Sequence, residues 1–310
     1  MKTRVIILGI ASFAIAACGG GQQNQNGQPA ADNADAAVVT ETLTEEIAAV
    51  EMTVEEKINE FQTTVEAMEN EYFAMRDSLS SDVPAWNAYY SVFIEEYKGY
   101  NLKAAEKNLD NEVAVKALLN LRGMITDEES ASVLNRLSAE MQENRQVQSL
   151  KKSLEARITT AEGKKFIDFT VNSVVGQTCS LPPQPVYSEV KLSDYVGKGK
   201  YILLDFWSPW CGPCRMEMPN IKAVYDKYKG DKFDVVSIAV WEKEPVDVTI
   251  QATVKLGMDW NQINNAGREP AESYGVDSIP HLILFGPDGT ILKRGFIGEQ
   301  IEQVVSEYVK

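Results

Sequence analysis

The sequence predicts an all-helical region over residues 41–160 followed by an α/β domain over residues 161–310. In the first part, apolar residues recur at steps of three and four, which is typical of amphipathic helices. From Lys165 onward, short apolar runs alternate with helical segments, a pattern that predicts a mostly parallel sheet covered by helices. The length of 310 residues allows two modest domains.

The first 17 residues have the organisation of an export signal. A basic start is followed by an apolar stretch over 5–17 that is too short to span a bilayer. The segment Ile15-Ala16-Ala17-Cys18 resembles the lipobox of bacterial lipoproteins, which implies cleavage before Cys18 and lipidation of Cys18. An ordinary secretory signal with an incidental Cys18 is the other interpretation. Residues 18–40 are rich in Gly, Gln, Asn and Ala and are expected to form a flexible, lipid-anchored linker.

The charge balance excludes one class of partner. The formal net charge is −15, and it becomes −17 once Lys2 and Arg4 leave with the signal. Because affinity for phosphate comes from Lys and Arg, a nucleic-acid partner is not expected. An anionic bilayer surface would not attract such a protein, so the predicted link to the membrane is the lipid.

Five helices are predicted in the first part. They cover residues 41–79, a segment that starts at Pro84 and ends at Gly99, residues 113–121, a segment capped by Thr126 with Glu129 three residues on, and residues 147–158. The region is expected either to form a helical bundle core or to recognise a partner, and the aromatic cluster around Trp86 fits both. The regular apolar stripe over 41–79 also leaves a homodimer through the helical domain open.

The second part is predicted to alternate strands and helices. The predicted strands cover 166–171, 201–207, 233–240, 281–285 and 290–295, and the predicted helices cover 215–229, 246–256, 269–274 and 298–309. Residues 172–189, with a Pro-rich stretch near Cys179, are expected to be irregular and similar to polyproline II.

The motif Cys211-Gly212-Pro213-Cys214 lies between a predicted buried strand and a predicted helix. The first thiol would stand at the helix N-terminus, where free N–H groups and the helix dipole favour the thiolate. A structural zinc site would need two further ligands, and the chain has one His and only two other Cys. If Cys18 carries lipid, Cys179 is the only cysteine outside the pair. An exported protein stabilised by disulfides would carry more cysteines, so the single Cys-x-x-Cys pair is expected to perform redox chemistry.

The stretch Leu204-Asp205-Phe206-Trp207-Ser208-Pro209-Trp210 with the Cys motif resembles thioredoxins. Residues 190–195, residues 215–219 and Ser278-Ile279-Pro280-His281 look like the TlpA/ResA-type thiol-disulfide oxidoreductases. The resemblance implies a thioredoxin-like domain over 161–310, with a central mixed sheet flanked by helices. Residues 85–160 are similar, more weakly, to the segment before the thioredoxin domain in Bacteroidetes-type TlpA lipoproteins.

This resemblance also implies roles for individual residues. Cys211 would be the exposed attacking thiol, and Cys214 the shielded thiol that resolves the mixed disulfide. Asp205 would be a buried acid that handles the proton of Cys214, with a partly solvated strand-end Asp as the alternative. Glu217 would be a second acid typical of the subgroup, or simply an exposed helical Glu.

Further roles concern the approach of substrate. A cis Pro280 would let the backbone of Ile279 hold a substrate strand beside the thiols, and Trp210 would offer a flat apolar surface. His281 would be either a proton shuttle or a residue near the site without a catalytic role. Cys179 would be a plain free thiol or a third redox participant.

The predicted function is reduction of protein disulfides by a membrane-tethered protein that faces the periplasm. No G-x-G-x-x-G sequence for a dinucleotide is present, so no cofactor or metal is expected, and a membrane thiol protein would have to donate the electrons. The alternatives are an oxidant or isomerase of disulfides, or a helical scaffold lipoprotein with a vestigial thioredoxin domain. A peroxidase is disfavoured, because peroxidases that resemble this fold lack a Cys-x-x-Cys pair.

Overall fold

The computed structural model describes residues 52–181 and 184–310. The predicted signal, Cys18 and the predicted linker therefore lie outside the described residues. Residues Met52–Lys310 form one compact unit, and the predicted division near residue 160 stays a prediction. Among the described residues, none of the helices has the length and apolar character that a bilayer crossing requires.

The first part of the described chain is helical, as predicted. Its helices are α1 (Val54–Ser78), α2 (Val83–Lys107), α3 (Glu112–Asn120), α4 (Asp127–Arg136), the short α5 (Ala139–Gln142) and α6 (Arg145–Thr159). Each is capped by a side chain that accepts a backbone N–H from the first turn, and Thr126 with Glu129 forms the predicted capping box. A common apolar core that includes Phe61, Leu118 and Leu134 holds these helices together.

Two predictions for these helices were wrong. A single helix over 41–79 is interrupted, because Met52 and Thr53 are not helical and Thr53 forms a capping box with Glu56 at the start of α1. Residues 41–51 lie outside the described part of the chain. Helix α2 does not end at Gly99 but continues for another eight residues, to Lys107. The buried side chains of Tyr97, Asn101 and Ala105 on both sides of Gly99 stabilise the helix through it.

The α/β domain begins with a hairpin that the sequence did not predict. Strands β1 (Thr170–Gln177) and β2 (Pro185–Lys191) pair in antiparallel register, with an irregularity between Val174 and Gly176. The expected strand over 166–171 was therefore placed too early, and the expected irregular segment over 172–189 is mostly paired. Pro185 is tolerated because it stands at the first position of a strand, where its missing N–H costs little.

The main sheet is mixed, as the resemblance implied, and it has five strands. Its strands are β3 (Tyr201–Trp207), β4 (Phe233–Ala239), β5 (Asn261–Ile263), β6 (His281–Phe285) and β7 (Ile291–Arg294), in the order β5-β4-β3-β6-β7. Strands β3, β4 and β5 are parallel, whereas β6 runs antiparallel to β3 and β7 runs antiparallel to β6. The three-residue β5 was missed because its run is too short to show a period.

Helices cover this sheet and complete the predicted α/β architecture. They are α7 (Gly212–Tyr228), α8 (Val246–Lys255), α9 (Glu269–Ser273) and α10 (Gln300–Tyr308). One core cluster joins α7 and α10 to the face of the sheet that carries Leu203 and Trp207. A second cluster packs Tyr274 on the opposite face, against Phe206 and Ile283. The carboxyl end of β3 is connected to the start of α7 by residues 208–211.

Candidate functional site

The two cysteines of the motif form a disulfide at the start of α7. Cys211 is the N-cap of the helix, and its Sγ accepts the backbone N–H of Cys214 at 3.1 Å. Cys214 is completely buried, which agrees with the predicted shielded thiol. Cys211 was expected to be exposed, but in this disulfide form it is only 4% exposed, because it packs with Trp207 and Met218 in the α7 cluster. The position at the N-cap favours a thiolate once the bond is reduced.

The loop before β6 brings a cis-proline against the disulfide. The Ile279–Pro280 bond is cis, as predicted. The Ile279 carbonyl oxygen lies 3.7 Å from Cys211 Sγ, a contact and not a donated hydrogen bond, since a disulfide sulfur carries no hydrogen. Pairing of Phe206 with His281 across β3 and β6 fixes this approach. The backbone of Ile279 is therefore placed beside the Cys211 sulfur, and its contact with a substrate stays a prediction.

Asp205 is fully buried on β3 and has no cationic partner among the described residues. Because side chains alternate along a strand, Asp205 points to the same side as Leu203 and Trp207, which pack with Cys214. Burial raises the pKa of the Asp205 carboxyl to about 7, and the charge of Glu217 adds to this. The alternative of a partly solvated Asp is thus excluded by its burial.

A hydrogen-bond chain behind Asp205 was missed at the sequence level. The Ser237 hydroxyl donates to Asp205 Oδ2 at 2.9 Å, and Trp260 Nε1–H donates to Ser237 Oγ at 2.8 Å. The other carboxyl oxygen, Oδ1, has no partner in the described part of the chain. A serine inside the apolar strand β4 was the available signal, because a buried hydroxyl needs a partner. The free Oδ1 leaves Asp205 one site at which to accept a proton.

Glu217 ties α7 to the loop before α10. Its Oε2 accepts the backbone N–H of Gly298 at 2.9 Å and the side-chain N–H of Asn220 at 3.1 Å. The side chain is half-buried, so it is not the exposed helical Glu of the alternative interpretation. These contacts fix its position, and its part in proton transfer stays a prediction.

Trp210 stands beside the disulfide and is 39% exposed. Its indole N–H donates to the Trp241 carbonyl at 3.0 Å, and the Lys243 ammonium lies 4.0 Å from the centre of its ring. Lys243 therefore covers one face of the indole by a cation–π contact. Trp241 and Lys243 were not identified from the sequence, because they follow β4 and approach Trp210 only through the fold.

His281 is partly buried behind the cis-proline loop. Its Nε2 lies 3.3 Å from the Arg294 guanidinium, which has only donors, so this nitrogen accepts the hydrogen bond. Burial first, and then the charge of Arg294, lower the pKa of His281 to about 3. A ring that stays neutral at ordinary pH is a poor proton shuttle, which favours the interpretation without a catalytic role.

The remaining cysteine and the question of metal can be treated briefly. Cys179 is an exposed free thiol in the turn between β1 and β2. Within the described residues, no group of three or more His, Cys, Asp or Glu side chains could hold a metal ion.

The part of the chain that carries this site is similar to known proteins. The model of the AhpC/TSA family matches residues 163–294. Thiol-disulfide oxidoreductase ResA of Bacillus thuringiensis is 28% identical over 149 residues, which cover 48% of this chain and 76% of that protein. ResA of Halalkalibacterium halodurans is 26% identical over 149 residues, covering 48% and 75%. The solved thioredoxin domain of a thiol-disulfide oxidoreductase from Bacteroides vulgatus is 26% identical, with a TM-score of 0.40, and the match covers 48% of this chain and 99% of that one.

Proposed function

We propose that the chain is a thiol-disulfide oxidoreductase that reduces protein disulfides at the periplasmic side of a membrane. The match of residues 163–294 to the AhpC/TSA family model and the similarity to ResA support this proposal. One observation carries the proposal of a protein substrate. The Cys211 sulfur lies 3.7 Å from the Ile279 carbonyl oxygen, so a polypeptide that reaches Cys211 would also meet the backbone of Ile279. Lipid on Cys18 would hold the protein at the membrane.

The proposed reaction transfers two electrons from the dithiol to the substrate. The Cys211 thiolate attacks one sulfur of the substrate disulfide, which forms a mixed disulfide and releases the other substrate sulfur as a thiolate. Cys214 then loses its proton and attacks Cys211 Sγ. This second step forms the Cys211–Cys214 disulfide, which is the state seen here, and releases the second substrate thiolate.

Asp205 is the proposed acceptor of the Cys214 proton. A pKa of about 7 lets the carboxyl both take up and return a proton near neutral pH. The hydrogen bond from Ser237 holds Oδ2 and leaves Oδ1 available for the exchange. Asp205→Asn is therefore expected to slow the second step, the release of the mixed disulfide, more than the first.

The direction of electron flow is the part of the proposal that a potential can test. Gly212 and Pro213 between the cysteines are typical of reducing thioredoxins, so we expect a reduction potential near about −270 mV. A potential above about −150 mV would contradict reduction and favour the opposing candidate, an oxidant. No dinucleotide fingerprint occurs in the sequence, so a membrane thiol protein is the proposed electron donor.

Trapping with Cys214→Ser tests the protein substrate. Without the resolving thiol, Cys211 should hold its partner as a mixed disulfide that mass spectrometry can identify. The matched control is the double variant Cys211→Ser/Cys214→Ser, and recovery of no partner above this control would contradict a protein substrate. The scaffold alternative predicts instead that Cys211→Ser rescues a deletion strain as well as the wild-type protein does.

A further inference from the structure

A groove separates the helical region from the cis-proline side of the α/β domain. It consists of two adjoining cavities of about 510 and 530 Å³ that share Arg122, Gly275 and Asp277. We call it the Arg122 groove and define it by these three residues together with Arg157, Ser278 and Trp241. One wall comes from the α3–α4 loop and α6, and the other from the segment that leads into the cis-proline.

Both cavities reach residues next to the disulfide. The first is lined by Ser278, whose neighbour Ile279 lies 3.7 Å from Cys211 Sγ. The second is lined by Trp241, whose carbonyl oxygen accepts the Trp210 indole N–H. In a polypeptide that presents a disulfide to Cys211, the residues that flank its cysteine would therefore come close to the groove.

The helical wall of the groove is fixed in place. Arg157 on α6 donates to Asp127 at 2.7 Å and to Asp277 at 2.8 Å, and Ser153 donates to Asp277 at 2.9 Å. At Gly275 the two walls approach so closely that a Cβ there would lie 2.6 Å from Arg157 Cγ. A preformed wall lowers the ordering cost that binding a flexible segment would otherwise incur.

The groove is locally cationic in an acidic protein. Its charged side chains are Arg122, Lys152, Arg157 and Arg268 against Asp127, Glu272 and Asp277. Arg157 pairs with the two aspartates, while Lys152 and Arg268 share Glu272. Arg122 is left exposed with no side-chain partner among the described residues. The groove therefore has one cation, Arg122, without an anionic partner in the described part of the chain, although the chain as a whole has a net charge of −15.

We propose that the Arg122 groove binds an acidic segment of the substrate protein that flanks its disulfide. The proposal rests on the proposed function and adds to it a substrate class and a role for the helical region. Arg122 pairs with a Glu or Asp side chain of the substrate, and the backbone of the substrate continues over Ser278 to Cys211. The helical region thereby selects substrates that the dithiol alone would not distinguish.

The test uses three probes with the reduced full-length protein. Two are synthetic peptides with one internal disulfide and an extended flanking arm, in which three Glu residues of one peptide replace three Gln residues of the other. The third is a small aromatic disulfide that cannot fill the groove. We expect kcat/KM for the Glu peptide to exceed that for the Gln peptide by about fivefold, the size of one exposed ion pair. This preference should shrink as salt is raised.

Two variants and a matched control locate the effect. Arg122→Glu should abolish the Glu preference through KM, and Ser130→Trp, which narrows the first cavity, should raise KM for both peptides. Lys198→Glu makes the same change in net charge in the turn before β3, at the opposite end of that strand from Cys211, and should keep the preference. All three variants should reduce the small disulfide at the wild-type rate.

The outcomes separate this proposal from the proposed function. If the wild-type protein reduces none of the three probes, the proposed function fails and the groove proposal fails with it. If it reduces all three but shows no Glu preference, or if Arg122→Glu keeps that preference, only the groove proposal is overturned.

Discussion

Asp205 is a carboxyl group held away from water, and this placement has an energetic consequence. Its hydrogen-bond partner is the Ser237 hydroxyl, and no cation in the described part of the chain offsets its burial. Removing an ionised carboxylate from water costs far more than removing the neutral acid, so the folded state favours the protonated form. The burial of Asp205 therefore lowers the free energy of unfolding as pH rises, and a substitution that removes the carboxyl should remove this pH dependence.

We expect Asp205→Asn to flatten the dependence of stability on pH. The carboxyl has a pKa of about 7 in the folded disulfide form, against about 3.9 in an unfolded chain, so the folded state binds the proton more tightly. The free energy of unfolding should then fall between about pH 4 and pH 7 and level off above. A pKa difference of about three units corresponds to a loss of on the order of 4 kcal/mol in the free energy of unfolding, and Asn at this position removes that loss.

Urea unfolding of the disulfide form at pH 5 and pH 8 measures most of this difference, because at pH 5 only about one of the three units has been passed. The advantage of the variant over the wild-type protein should therefore be clearly larger at pH 8 than at pH 5. Asp288→Asn is the control, because Lys165 and Thr290 lower the pKa of Asp288 to about 2 and place its titration below this window. Equal slopes for Asp205→Asn and the wild-type protein would contradict a raised pKa.

At the residue scale, the sequence located the groups with a local signature and missed those that depend on pairing. Cys211, Cys214 and Pro280 lie within short motifs, so their positions followed from the residues around them. Ser237 contacts Asp205 only because β3 and β4 pair in the register that sets these two residues side by side. No local pattern encodes that register.

At the scale of elements, α6 is joined to the α/β domain by a contact that only glycine permits. Gly275 has φ +60°, and a Cβ there would lie 2.6 Å from Arg157 Cγ and 2.7 Å from the Ser153 carbonyl oxygen. Backbone atoms of a helix cannot move aside as a flexible side chain can. The close approach therefore holds α6 against the segment that leads into the cis-proline.

Gly275→Ala is expected to destabilise the protein by about 3 kcal/mol, because unfavourable φ costs about 1 kcal/mol and overpacking about 2 kcal/mol more. Gly257→Ala is the matched control, since Gly257 has φ +64° and nothing within 4 Å of its Cβ position. It should lose only the conformational part. If both variants lose the same free energy of unfolding in urea, the contact between α6 and Gly275 does not contribute to stability.

Gly99 offers the opposite case, a glycine that the structure does not need. It lies exposed within α2, and a Cβ there would meet nothing within 4 Å. Gly99→Ala should raise the free energy of unfolding by about 0.5–1 kcal/mol, because alanine loses less conformational entropy in a helix. A loss of stability in urea unfolding would show that the position is more crowded than its surroundings indicate.

Errors in the predicted elements have a common cause. Helix α2 passes through Gly99 and the β1–β2 hairpin forms in a Pro-rich segment, since tertiary contacts outweigh the local preferences of single residues. Strand β3, in contrast, was predicted with its bounds because its apolar run is continuous and ends at the Cys motif. Local signals were therefore sufficient where burial was continuous along the chain.

At the scale of the whole molecule, the helical region packs against itself and against the redox domain. The ring centres of Tyr72 and Phe93 lie 4.9 Å apart between α1 and α2, and the Trp86 ring lies tilted at 5.5 Å from Tyr72. Phe61 and Val65, on the apolar stripe of α1, are buried within their own chain. The aromatic cluster thus serves the packing of these helices, and the homodimer through the helical domain stays a prediction.

The tether is the last property that depends on the whole chain. The proposed anchor is the lipid on Cys18, which follows from the resemblance of Ile15-Ala16-Ala17-Cys18 to a lipobox. Each buried CH₂ of an acyl chain contributes about 0.8 kcal/mol, and stable anchoring needs more than one chain.

Cys18→Ser should therefore move the protein from the membrane fraction to the soluble fraction of the cell envelope, as immunoblots of separated fractions would show. Cys179→Ser, the control at the exposed thiol of the β1–β2 turn, should leave it on the membrane. Retention of Cys18→Ser in membranes after an alkaline wash would reject lipid on this cysteine as the anchor.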